Sequence, residues 1–97
     1  MRRANRRDRN HIEIRDEFRR LGFAVKDLAD LKNFCDLLVS KNGRTWCIEV
    51  KDGELPPSRR KLTEGEEIFR NSWKGNYEIV ICLEDVDKIN RVAMFGF

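Results

Sequence analysis

Asn42 and Gly43 stand side by side between two runs of strand-forming residues, and this pair limits the folding of the chain more sharply than any long-range feature. An Asn-Gly pair accepts positive φ at both central positions of a two-residue hairpin, the turn geometry that matches the natural twist of two strands. The spacing predicts that "CDLLVS" returns antiparallel through "TWCIEVK", with Lys41 facing Arg44, Val39 facing Trp46 and Asp36 facing Glu49. Side chains alternate along a strand. Asp36, Glu49 and Lys51 then share one face with Leu38 and Cys47, while Leu37, Val39, Trp46, Ile48 and Val50 occupy the other.

Two carboxylates opposed across strands repel by roughly 0.2–1 kcal/mol, and by more when partly buried. A divalent cation would compensate them, because hard oxygens from one or two carboxylates, a main-chain carbonyl and waters suit Mg²⁺ or Mn²⁺. Lys51 lies two residues beyond Glu49, where an ammonium can orient a water and stabilise charge growing on a phosphate. The alternative for the same residues is a solvated Asp, Glu and Lys network on an open sheet face.

The rest of the chain frames this hairpin. At 97 residues it makes one small domain, 1–97, with little room for a large internal cavity. A charged fraction of 38% and the absence of an apolar run of membrane-spanning length or of a signal-peptide pattern lead us to expect a soluble, intracellular protein with no membrane partner. Cys35, Cys47 and Cys82 sit in apolar segments without CxxC spacing, which reads as reduced core thiols. From about Asp8 to Leu21, the positions of Ile14, Phe18 and Leu21 make a helical stripe stopped by Gly22. His11 falls on that stripe and reads first as a hydrogen-bonded core residue. Glu13 borders it, and Glu17 is placed to pair with Arg20.

"DGELPPSRRK" is a loop because of its two prolines, and its Arg59, Arg60 and Lys61 suit a phosphate backbone. Arg2, Arg3, Arg6, Arg7 and Arg9 form a second basic cluster, either a further polyanion contact or a disordered basic tail over 1–7. Thr63 and Glu66 have capping-box spacing at the head of a second helix carrying Ile68, Phe69 and Trp73. "YEIVICL" reads as a strand covered on both faces, and a short last helix starts near Glu84 or Asp85, with "VAMFGF" left unassigned. Trp46 and Trp73 fit apolar periodicities and read as core. The class is α/β, a mixed sheet flanked by helices.

The stretch "CDLLVSKNGRTWCIEVKDG" resembles the signature of the PD-(D/E)XK nucleases, with Asp36, Glu49 and Lys51 at its Asp, Glu and Lys positions. The pattern of His11, Glu13, Ile14, Phe18, Gly22, Phe23 and Val25, with "PPSRRKLTEGEEIF" and "SWKG" further on, is similar to small stand-alone VRR-NUC domains of the kind found in phage genomes. The resemblance implies a restriction-endonuclease-like core in αβββαβ order and hydrolysis of DNA phosphodiesters with Mg²⁺ or Mn²⁺ and no organic cofactor. Asp36, Glu49 and the Val50 carbonyl would hold the metal, Lys51 would position or activate a water, and the first helix would contribute Glu13, with His11 as the other candidate. It further implies a homodimer acting on branched or structured DNA in the cytoplasm of a bacterium or phage-infected cell. Cys35 stands where the family usually has Pro, and "LTEGEE" where many members carry Gln, so that Glu66 or Glu67 would fill that position without the same donor chemistry. The reading from a different class is a catalytically silent nucleic-acid-binding module on the same fold.

Overall fold

In a computed structural model that describes residues 8–97, the Asn42–Gly43 turn closes with positive φ at both positions, 53° and 81°. The basic tail over 1–7, with Arg2, Arg3, Arg6 and Arg7, lies outside the described residues. The elements run α1 (His11–Arg20), β1 (Ala24–Asp27), β2 (Leu37–Lys41), β3 (Arg44–Val50), a 3-10 turn (Pro57–Arg59), α2 (Glu64–Ser72), β4 (Asn76–Val80) and α3 (Leu83–Phe95). The four strands lie in the order β1-β2-β3-β4. The first three are antiparallel neighbours, and β4 joins β3 in parallel after the crossover through α2. This mixed sheet with flanking helices is the expected fold class; α3 is the last helix expected near Glu84 or Asp85, and it follows the αβββαβ core.

The hairpin register is the one that the turn dictates, with Leu38 paired to Cys47, Val39 to Trp46 and Lys41 to Arg44. Leu37, Val39, Trp46, Ile48, Val50 and Val80 then face one way and meet Ile14 and Phe18 of α1 and Val86, Ile89 and Ala93 of α3 in a single core. Each fully buried Leu, Ile, Val or Phe in such a core stabilises by about 1.5–3 kcal/mol. Phe18, Phe23 and Trp46 pack edge to face, with ring centroids 5.1 and 6.0 Å apart. The Lys41 ammonium ties three elements together: it donates to the Leu21 carbonyl at the end of α1 and to Asn90 Oδ1 of α3 at 2.7 Å, and it lies 5.3 Å from the centre of the Phe23 ring. Cys35 and Cys47 are free, buried thiols, and burial pushes both up from the usual thiol range.

Three local features differ from the sequence reading. The strand in "YEIVICL" ends at Val80 and is an edge strand with Glu78 and Ile79 exposed, because the Asp85 carboxylate takes the Ile81 N–H at 2.9 Å and turns the chain into α3. That helix is longer than expected and absorbs Val92 to Phe95. Val86, Ile89 and Ala93 recur at helical spacing against the core, and Gly96 ends the helix in a left-handed conformation, its N–H donating to Val92 O at 2.8 Å. Finally, Trp46 is core, but Trp73 is 37% exposed and belongs to an aromatic group outside the main core. Phe34, Phe69, Trp73 and Tyr77 form this group between α2 and the second face of the sheet.

Candidate active site

The second face of the sheet carries Leu38, Cys47, Glu49, Tyr77 and Ile79, with Asp36 and Lys51 at its end. The β2–β3 ladder stops at the Leu37–Ile48 pair. One residue further on, the Asp36 N–H donates to Ile48 O at 2.9 Å, while the Asp36 carboxylate accepts the Val50 N–H at 2.8 Å. The Asp36 side chain thus replaces a main-chain acceptor at the point where the strands separate, and this locks its carboxylate beside Glu49. Only 2% of Glu49 is exposed, and its Oε1 is buried without a hydrogen-bond partner among the described residues. Burial first, and the Asp36 charge second, push its carboxyl far above the usual carboxylate range.

Lys51 Nζ lies 3.8 Å from Glu49 Oε2 and 2.9 Å from Glu66 Oε1. Glu66 arrives there because it closes the capping box of α2: Thr63 Oγ1 accepts the Glu66 N–H, and Glu66 Oε1 accepts the Thr63 N–H at 2.8 Å. One carboxylate oxygen therefore serves both the helix start and the lysine. Burial works against the Lys51 charge, but Glu66 and Glu49 outweigh it and hold the ammonium above its ordinary range. Burial likewise opposes the Glu66 charge, but the Thr63 N–H, Glu49 and Lys51 together hold that carboxyl below its ordinary range.

Residues near α1 complete the surroundings. Asp8, half-buried just before the helix, is held up by burial and feels the charges of Lys51, Asp36, Asp52 and Glu66. Asn10 is buried and donates through Nδ2 to both Lys51 O and Ile81 O, each at 3.1 Å, tying the start of α1 to the ends of β3 and β4. Arg9 forks onto Asp52 at 3.1 and 3.2 Å, fixing the loop that leaves Lys51. Gly53 is required in that loop, since a Cβ there would come within 2.6 Å of Ile81 O.

Of the positions singled out in the sequence, Asp36, Glu49, the Val50 main chain and Lys51 come together. Glu13 is exposed and lines a different cavity, with Arg9, Asp52 and Leu83. His11 is 1% exposed and pairs through Nε2 with Asp27 Oδ2 at 3.1 Å, at the end of β1. Arg59 is exposed on the 3-10 turn, while Arg60 and Lys61 line a groove against α2, and Arg60 Nε donates to Leu55 O at 2.7 Å. Asp8 and Asn10 escaped the sequence reading. Neither lies in a motif, and only the path of the chain brings them to β3.

The donor chemistry fits a divalent cation. Asp36 and Glu49 offer hard oxygens, and the unpartnered Glu49 Oε1 is a buried lone pair that a cation would satisfy. Among the described residues no group of three or more His, Cys, Asp or Glu side chains is placed to hold a metal. The protein would thus supply two carboxylates and a main-chain oxygen and leave the remaining positions to water, as Mg²⁺ sites commonly do.

No family model matches the sequence, and no curated protein matches it. A solved structure described as "VRR_NUC domain" is similar to the chain at 27% identity with a TM-score of 0.54, covering 92% of this chain and 95% of that one. The likeness supports a VRR-NUC domain of the PD-(D/E)XK nuclease type.

Proposed function

From a nuclease-type domain of VRR-NUC fold, we propose that this chain hydrolyses DNA phosphodiesters in a reaction dependent on Mg²⁺ or Mn²⁺, as an endonuclease selective for branched or junction DNA. The observation that carries this reading is the buried, unpartnered Glu49 Oε1 beside Asp36, with an ammonium 3.8 Å from the same carboxylate. A structural network would satisfy that oxygen; a site that recruits a cation leaves it open. Asp36, Glu49 and the Val50 carbonyl would hold the metal, which when bound supplies Lewis-acid stabilisation of charge on the phosphate. Lys51 holds a proton at Nζ under the influence of Glu66 and Glu49, so at neutral pH it acts as a cation that orients a water and the phosphate oxygens. Asp8, just before α1, feels the charges of Lys51, Asp36 and Glu66, and in this reading it is a second candidate beside Glu13 to receive a proton from that water.

The test is incubation of the purified protein with labelled linear, flap, bubble and four-way-junction DNA in Mg²⁺, Mn²⁺ or EDTA. Cleavage is expected with either metal, fastest on branched substrates, and none in EDTA. Lys51→Met should bind DNA as wild type does and cut at least about tenfold more slowly in single turnover, since the ammonium acts mainly as charge develops in the transition state. Wild-type protein that binds every substrate and cuts none in either metal would identify a silent binding module. Sedimentation of the protein with and without junction DNA checks the homodimer that belongs to the same proposal.

A further inference from the structure

Beside the acid cluster, on the same face of the sheet, lies a groove of about 430 Å³ between the proline loop, α2 and β4. Its position follows from the register. Glu49 and Ile79 are cross-strand partners in the parallel β3–β4 pair, so Ile79 and Ile81 continue the face that carries Glu49 and Lys51, one strand spacing of about 4.8 Å away. Ile79 and Ile81 make an apolar floor, and Arg60, Lys61 and Arg70 stand around it with one acid, Glu67. The three cations come from two separate elements, the loop and α2, and converge on one cavity. Arg60 is anchored through Nε to the Leu55 carbonyl, which leaves the rest of its guanidinium to the groove. Lys61 and Arg70 have no ion-pair or hydrogen-bond partner for their side chains among the described residues. Some other exposed cations, by contrast, are held by acids, as Arg9 is by Asp52 and Arg20 by Glu17.

The geometry points to a subsite in which Arg60, Lys61 and Arg70 hold a phosphate of the DNA strand next to the scissile position, its sugar and base edge resting on Ile79 and Ile81. The volume suits one nucleotide. The floor is aliphatic and offers no hydrogen-bonding groups, so the subsite grips a strand without reading its bases. Arg59, although it adjoins Arg60 in sequence, lies outside the groove, and Arg70 takes the place a loop-only reading would give it. The inference rests on the proposed nuclease reading for its choice of ligand.

The experiment compares wild type with Arg70→Gln and, as a control, Arg91→Gln, which alters an exposed arginine of α3 outside the groove. Binding to a fluorescent single-stranded oligonucleotide is measured in EDTA over a range of salt, and cleavage is measured separately in Mg²⁺. Arg70→Gln should bind several-fold more weakly and reduce the salt slope by about 0.7, the contribution of one phosphate contact on a single strand. Its cleavage defect should appear in KM with kcat kept. Arg91→Gln should match wild type in all three readouts, and all three proteins should melt alike. If Arg70→Gln binds with wild-type affinity and slope, the subsite is wrong, whether or not the wild type cuts DNA. If the slope falls as expected but wild type cuts nothing, the subsite stands and the nuclease reading fails.

Discussion

A carboxyl group with 2% of its surface exposed and one oxygen unpartnered opposes folding whenever it is charged, and Glu49 is in that position beside a second acid. Its pKa in the folded chain lies above the ordinary 4.5, so its contribution favours the fold below that pH and is lost as pH rises through the raised value. Metal-free wild type should therefore lose stability from acidic to mildly alkaline pH relative to Glu49→Gln, which should be more stable near neutrality by about 0.5–2 kcal/mol. Millimolar Mg²⁺ should raise the melting temperature of wild type and leave that of Glu49→Gln unchanged, because only the folded wild type binds it. Melting curves across pH in EDTA and in Mg²⁺ check both statements, and parallel pH profiles for the two proteins would contradict them. This pairing was legible in the sequence because it depends on one local turn: once Asn42 and Gly43 take positive φ, Asp36 and Glu49 must lie near each other. The further step was not legible, since Asp36 leaves the ladder and uses its carboxylate as an acceptor for the Val50 N–H, which depends on where β1 and the preceding loop draw the chain.

Among the elements, α2 shows how a local signal can be read correctly while its destination stays hidden. Thr63 and Glu66 have capping-box spacing and form one, but that spacing does not indicate that the same glutamate meets Lys51, 15 residues earlier. Thr63→Ala should cost about 0.5–2 kcal/mol, the usual loss for such a cap, measurable by urea denaturation. Asn10 couples elements more directly. Asn10→Ala leaves Lys51 O and Ile81 O without their shared donor and should destabilise by about 1–3 kcal/mol in the same measurement, with loss of cleavage beyond what stability explains because β3 and β4 end at the site. The helix that closes the chain was the hardest to foresee. Its N-cap, Cys82, makes no side-chain cap, and Val92, Met94 and Phe95 suit a strand as well as a helix until Ala93 and Ile89 are seen against the core.

For the whole molecule, the Lys41 ammonium joins the hairpin, the end of α1 and α3, so its loss is felt by three elements at once. Lys41→Met should cost about 1–3 kcal/mol, which for a domain of this size lowers the melting temperature by about 4–8 °C per kcal/mol; a thermal melt settles it. The chain's two sides are held differently. One face of the sheet has a continuous apolar core with α1 and α3, and the other meets α2 through an aromatic group and the Lys51–Glu66 ion pair. That contrast gives the shared oxygen of Glu66 a consequence in linkage. Thr63 N–H and Lys51 draw on the same acceptor, so a phosphate that attracts Lys51 changes how firmly the first turn of α2 is closed, and by reciprocity a tighter first turn changes the affinity for that phosphate. Amide hydrogen exchange at Thr63 would then report DNA arriving at Lys51, while amides of the Leu37–Val50 hairpin core kept their rates.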